Sequence, residues 1–248
     1  MDLLSNWPDA IAKVERSVYR ISTDFGNGTG FLVHAFKGTM TIVTAWHVIE
    51  ELASVPNKHA RRIALDSAVG GHRIEANAVG LARLGPPELD IGIVWIGRHF
   101  DGPQVDGIII SLGSSGIKGG LLDLSGGGGI TALSEGPIRL RELDYPALLP
   151  DERPQKGIEL GWMGYPSIAS ETPCAFRGIL SGQLTEPPML LVDGTGIPGL
   201  SGGPVFNGRG QILAIISGLL QEEDTMTGLI AAMPIDGVWR VLKGLARE

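Results

Sequence analysis

Gly199-Leu200-Ser201-Gly202-Gly203-Pro204 sets a serine between glycines and closes with a proline. Glycine lets the backbone take positive φ and approach a bound group closely. A serine on such a turn presents its hydroxyl with backbone N–H groups beside it. Those of Gly199 and Ser201 can converge on one point and stabilise an oxyanion there. The chemistry this arrangement would do is nucleophilic attack on an acyl carbon. Glycine supplies 37 of 248 residues, so an ordinary Gly-rich turn stands beside that reading. A serine hydroxyl is also a weak nucleophile without a base. The reading therefore needs a histidine and a carboxylate elsewhere.

Both occur upstream. Thr41-Ile42-Val43-Thr44-Ala45-Trp46-His47 is a β-branched run ending in a histidine, and Asp90 opens the apolar stretch Ile91-Gly92-Ile93-Val94-Trp95-Ile96. A carboxylate buried against such a strand needs a partner. The bland alternatives are a histidine packed at a helix start and a surface acid at a strand start. His34, His59, His72 and His99 lack the context of His47, and Asp66, Asp101 and Glu88 are not followed by a comparable strand. The order His, Asp, Ser argues against an α/β-hydrolase, whose triad runs Ser, Asp, His.

These segments, in this order, resemble the trypsin-like serine proteases, and in detail the bacterial HtrA/Deg branch. Gly28-Thr29-Gly30-Phe31-Leu32-Val33 is similar to that branch's second strand. Gly178-Ile179-Leu180-Ser181-Gly182 is similar to its Gly-Ile-Val-Ser segment, and Gly228-Leu229-Ile230-Ala231-Ala232-Met233-Pro234 to its last strand. The similarity runs from about residue 17 to about residue 245, with a gap near 101–150. The resemblance implies a triad in which His47 is the base, Asp90 orients it and Ser201 attacks, with the N–H groups of Gly199 and Ser201 as the oxyanion hole. It implies a serine endopeptidase acting on polypeptides through an acyl-enzyme. By similarity Thr195 lies at the pocket floor, Gly218 and Leu219 form a wall, and Ser217 pairs its backbone with substrate. An uncharged floor and a narrowing leucine imply cleavage after small or medium apolar residues. The rival readings are a silent or latent peptide-binding scaffold and a hydrolase of other acyl groups.

The elements that must position these residues are read next. The implied fold is all-β: two six-stranded antiparallel β-barrels, with a short N-terminal helix over 9–16 and a C-terminal helix over 235–245. Strands are expected over 18–23, 29–36 and 40–44, with a helical turn over 48–53. Residues 61–65 and 72–84 read as two more strands. The second barrel is expected from strands over 157–164, 175–184, 189–192, 211–219 and 229–233. The chain divides into an N-terminal barrel (1–100), a linker with a Gly-rich insertion (101–154), a C-terminal barrel (155–234) and the C-terminal helix (235–248). The insertion near 105–140 reads as a hairpin or flap, either substrate-facing or passive. Its four consecutive glycines, 126–129, lack the helix and basic residue of a phosphate cradle.

A chain of 248 residues fits a single peptidase domain of this kind. Its net charge of −7 gives no basic stripe for nucleic acid or an anionic membrane. No apolar run reaches the length of a membrane span. The first residues show neither a basic n-region nor an apolar h-region, and the single cysteine, Cys174, fits a reducing compartment. A cytoplasmic location is therefore expected, with Cys174 a small buried strand residue. No metal or cofactor is expected. With no PDZ domain read in the sequence, targeting or restraint by a regulatory protein partner is expected.

Overall fold

The structure is a computed structural model that describes residues 6–36, 39–57, 61–69, 71, 73–77, 80–97, 108–113, 116–121, 130–132, 154–222 and 225–235. Helix α1 (Trp7–Glu15) leads into strands β1 (Val18–Ser22), β2 (Asn27–Phe36) and β3 (Thr39–Thr44). Helix α2 (Trp46–Ala53) follows, then β4 (Arg62–Ser67), β5 (Arg73–Asn77), β6 (Gly80–Arg83) and β7 (Gly92–Gly97). Next come β8 (Ile108–Gly113), β9 (Gly116–Leu121) and β10 (Ile130–Ala132). The later elements are β11 (Glu159–Gly164), β12 (Cys174–Thr185), β13 (Pro188–Asp193), β14 (Pro204–Phe206), β15 (Ile212–Glu222) and β16 (Thr225–Pro234).

The second group closes as expected, into a six-stranded barrel in the order β11-β12-β13-β16-β15-β14. The first differs: it is an eight-stranded sheet in the order β10-β5-β4-β1-β2-β3-β7-β6. Two things account for this. The stretch read as one strand over 72–84 is two, β5 and β6, and these lie near opposite ends of the sheet. The edge of β5 is taken by β10, with Ile130 opposite Ala76 and Ala132 opposite Ile74. The expected inserted hairpin is β8 paired with β9. The C-terminal helix lies outside the described residues. Cys174 opens β12 half-exposed rather than buried, because it lies at the strand's end.

Helix α1 carries Pro8 in its first turn, Asp9 early and Lys13 late, the arrangement a helix dipole favours. Its buried face is Trp7, Ala10 and Val14. Trp7 packs on Phe206 of the second barrel at 6.2 Å between ring centroids, and its indole N–H donates to Glu159 at 3.0 Å. The first element of the chain is thus seated on the last barrel. Between the sheets, Phe31, Val33 and Val43 share one apolar cluster with Met163, Phe206 and Ile215. Each sheet also keeps its own cluster, around Ile42 and Leu65 in the first and Leu180 and Val192 in the second.

Gly178 shows how tight the second barrel is. A Cβ there would strike the Asp193 carbonyl and come 2.9 Å from the Trp162 ring. Gly178→Ala is expected to destabilise the protein by about 1–3 kcal/mol through overpacking. Urea unfolding should show a lower midpoint with an unchanged slope.

Candidate active site

Helix α2 begins at Trp46, two residues earlier than expected, so His47 sits in its first turn. Its N-cap residue, Ala45, offers no side-chain cap. Asp90 supplies one from a distance: Oδ1 accepts the His47 backbone N–H at 2.9 Å. The other oxygen, Oδ2, lies 2.7 Å from His47 Nδ1. The Asp90 carbonyl also accepts the Trp46 N–H at 3.3 Å. One aspartate therefore fixes both the helix start and the imidazole. Arg83 steadies the approach to Asp90 by donating to the Leu89 carbonyl at 3.2 Å and to the Pro87 carbonyl, with its guanidinium 5.8 Å over the Trp46 ring.

Ser217, on β15, donates its hydroxyl to Asp90 Oδ2 at 2.7 Å. Sequence reasoning gave Ser217 only a backbone role. Burial pushes the Asp90 carboxyl up, but the hydrogen bonds from the His47 ring, Ser217 and the His47 N–H outweigh it and hold the group below its ordinary value. The bond to Asp90 raises His47 above its ordinary 6.5 against the opposing effect of burial, and the charges of Asp90 and Glu50 add to the rise. Neither of the described alternative acids is placed like Asp90. Asp66 is ion-paired with Arg20 at 2.8 Å and Arg73 at 2.9 Å, Glu88 is exposed, and Asp101 lies outside the described residues.

Ser201 lies on the loop before β14. Gly199 at φ +93 and Gly202 at φ +84 occupy the left-handed region on either side of it. A Cβ on Gly199 would strike the Tyr165 carbonyl, and one on Gly202 would strike Thr29 and Thr44. The carbonyls of residues 197–201 are all engaged. Pro198 accepts from the Ser167 N–H at 2.7 Å and Leu200 from the Gly203 N–H at 2.9 Å. In a trans peptide the N–H points opposite to the C=O. The N–H groups of Gly199 and Ser201 thus project away from those anchors, and among the described residues neither donates a hydrogen bond. The Ser201 hydroxyl donates to the Ser217 carbonyl at 3.4 Å; among the described residues no hydrogen bond joins it to His47.

Beyond the serine, Leu219 lies across Gly196. A Cβ on Gly196 would strike Leu219 and come 3.3 Å from Ile230, while Gly218 faces open space. Thr195 is exposed, and its carbonyl accepts the Trp162 indole N–H at 3.1 Å. Gly196, next to Thr195, is thus the residue that faces Leu219, a pairing the sequence did not reveal. Among the described residues no cluster of His, Cys, Asp and Glu is placed to hold a metal, and no helix is long and apolar enough to cross a membrane.

An imidazole held by a carboxylate, beside a glycine-flanked serine and between two β-sheets, defines the class of serine peptidases with a chymotrypsin-like fold. The sequence matches the family model of the trypsin-like peptidase domain over residues 28–215, and the chain belongs to that family. It is a serine endopeptidase whose substrate is polypeptide. Its fold is similar to that of a serine endoprotease from Yersinia pestis, at a TM-score of 0.63 and 17% identity over 100% of this chain and 69% of that one. It is also similar to Deg5, at a TM-score of 0.59 and 20% identity over 94% and 90% of the two chains. An HtrA-type protease solved with a tripeptide gives a TM-score of 0.61 and 16% identity over 96% of this chain and 63% of that one. No curated protein matches the sequence.

The His47–Asp90 pair has a measurable signature. In a histidine NMR titration His47 should show a midpoint above 6.5. Asp90→Asn removes the negative partner and should move that midpoint down.

Proposed function

We propose that this endopeptidase works through a His47–Asp90–Ser201 triad and an acyl-enzyme. The observation that carries the reading is the Asp90 carboxylate bonded to both the ring and the backbone N–H of His47. In that arrangement Nδ1 is the protonated nitrogen, and Nε2 is left free to act as base. His47 is about half exposed, at 48% of its side-chain surface, so its ring is open to a bound substrate. Ser201 Oγ forms the bond to the peptide carbonyl carbon as His47 takes its proton. The imidazolium then returns that proton to the leaving amine as the C–N bond breaks. Water, deprotonated by His47, releases the acyl group in the reverse sense.

The free N–H groups of Gly199 and Ser201 suit the oxyanion that forms in both steps. The Ser217 carbonyl suits the backbone N–H of a substrate lying along β15 as an added strand. A substrate amide arriving there competes with the Ser201 hydroxyl for that carbonyl and turns the hydroxyl towards His47. Leu219 lying over Gly196 supports a shallow pocket, hence cleavage after small or medium apolar residues.

Four outcomes test this reading. A fluorophosphonate should add once to the wild type and not to Ser201→Ala, read by intact mass. Peptide turnover should fall by roughly 10⁴-fold or more in Ser201→Ala, and by roughly 10⁴-fold in Asp90→Asn. Its acid limb should follow the His47 titration, with activity rising as pH passes above 6.5 and the base form appears. Leu219→Ala should raise kcat/KM for cleavage after Phe relative to Ala by roughly tenfold or more, measured on a peptide series.

A further inference from the structure

Thr29, on β2 of the first sheet, is fully buried and makes three hydrogen bonds to the second barrel. Its N–H donates to the Ser201 carbonyl at 2.9 Å. Its hydroxyl donates to the Gly199 carbonyl at 2.7 Å and accepts the Tyr165 N–H at 3.0 Å. The Thr29 carbonyl is held in turn by the buried Thr44 hydroxyl at 2.7 Å.

The peptides this residue holds alternate with those that carry the free N–H groups. The 198–199 peptide presents the Gly199 N–H, and the 199–200 peptide has its carbonyl on the Thr29 hydroxyl. The 200–201 peptide presents the Ser201 N–H, and the 201–202 peptide has its carbonyl on the Thr29 N–H. The 199–200 peptide turns about ψ of Gly199 and φ of Leu200, the two torsions that help set how the peptides bearing the free N–H groups are oriented to one another. The segment that donates to the Thr29 hydroxyl also fixes the first peptide, because Ser167, two residues after Tyr165, donates to the Pro198 carbonyl. The hydroxyl thus ties together both supports of the loop. Glycine at 199 makes such a tie necessary, since its own backbone does not prefer a single conformation.

We propose that the Thr29 hydroxyl is a positioning group for the oxyanion donors, holding the Gly199 and Ser201 N–H groups on one point by pinning the peptide between them. This rests on the reading of those two groups as the oxyanion hole. The hydroxyl does not touch the reacting atoms, and the His47–Asp90 pair does not depend on it.

The test compares wild type, Thr29→Val and Thr29→Ser on a peptide ester and on its thionoester, in which sulfur replaces the carbonyl oxygen. Sulfur is a poor hydrogen-bond acceptor, so the thionoester draws little from the donors. Thr29→Val should lower kcat on the ester by roughly tenfold to a hundredfold, part of what losing a whole donor costs. KM should stay within about twofold, because the effect falls on the transition state. The thionoester should lose much less, so the ester-to-thionoester ratio falls. Thr29→Ser should restore the ratio. A loss shared equally by both esters, or a Thr29→Val enzyme with wild-type kcat, overturns the proposal. If Thr29→Val does not fold, Thr29→Cys, whose thiol is a weak donor, gives the same comparison. A folded wild type inert to both esters and to the fluorophosphonate overturns the nucleophile reading and this proposal with it. An active wild type separates the two.

Discussion

The carboxylate of Asp90 is the constraint on which the site depends. It accepts from the His47 N–H, lies against the His47 ring and accepts from the Ser217 hydroxyl. These partners come from α2 and from β15 of the second barrel. A charge with 17% of its side chain exposed is tolerated only when its oxygens are occupied in this way. Any shift between the sheets would strip a donor from it. The same group therefore sets the imidazole, begins the helix and registers one half of the molecule on the other.

The rest of the interface follows the same logic with neutral groups. Among the described residues the buried polar side chains are Ser17, Thr29, Thr41 and Thr44. Three of these spend their hydroxyls on backbone carbonyls: Ser17 on Val14, Thr29 on Gly199 and Thr44 on Thr29. A short hydroxyl is small enough for a close-packed interior and satisfies a carbonyl that would otherwise be costly to bury. Arg20 completes the tie at the rim, bonding Asp66 on its own sheet and the Ser170 carbonyl on the other. Apolar packing supplies the contact between the halves, and the bonds of Thr29 to Gly199 and of Arg20 to Ser170, which cross it, choose its register.

What could be read in the sequence was local. Ser201 announces itself by the glycines around it, His47 by the β-branched run before it, and Asp90 by the apolar strand after it. Each signal spans a handful of neighbouring residues, and so does the proline-led start of α1. What was hidden was pairing at a distance. Thr29 reads as a strand residue, and its hydroxyl finds Gly199 170 positions away. Ser217 reads as a strand edge, yet its side chain meets Asp90 127 positions away. The three residues of β10 are too few to show a period, so nothing in the composition foretold that they would occupy the edge of β5. Leu219 was legible as a bulky wall, but not that Gly196 is the surface it covers.

The barrel's closure also sets a sequence in time. His47, on α2, and Asp90, just before β7, belong to the first half of the molecule, but the strand that closes the second barrel is β16, which pairs with β13 and β15. Chains emerge from the ribosome N-terminus first. His47 and Asp90 are thus available early, while the loop bearing Ser201 gains its frame only when β16 is in place. A growing chain that already holds His47 and Asp90 therefore has no framed Ser201 loop until β16 has emerged and paired.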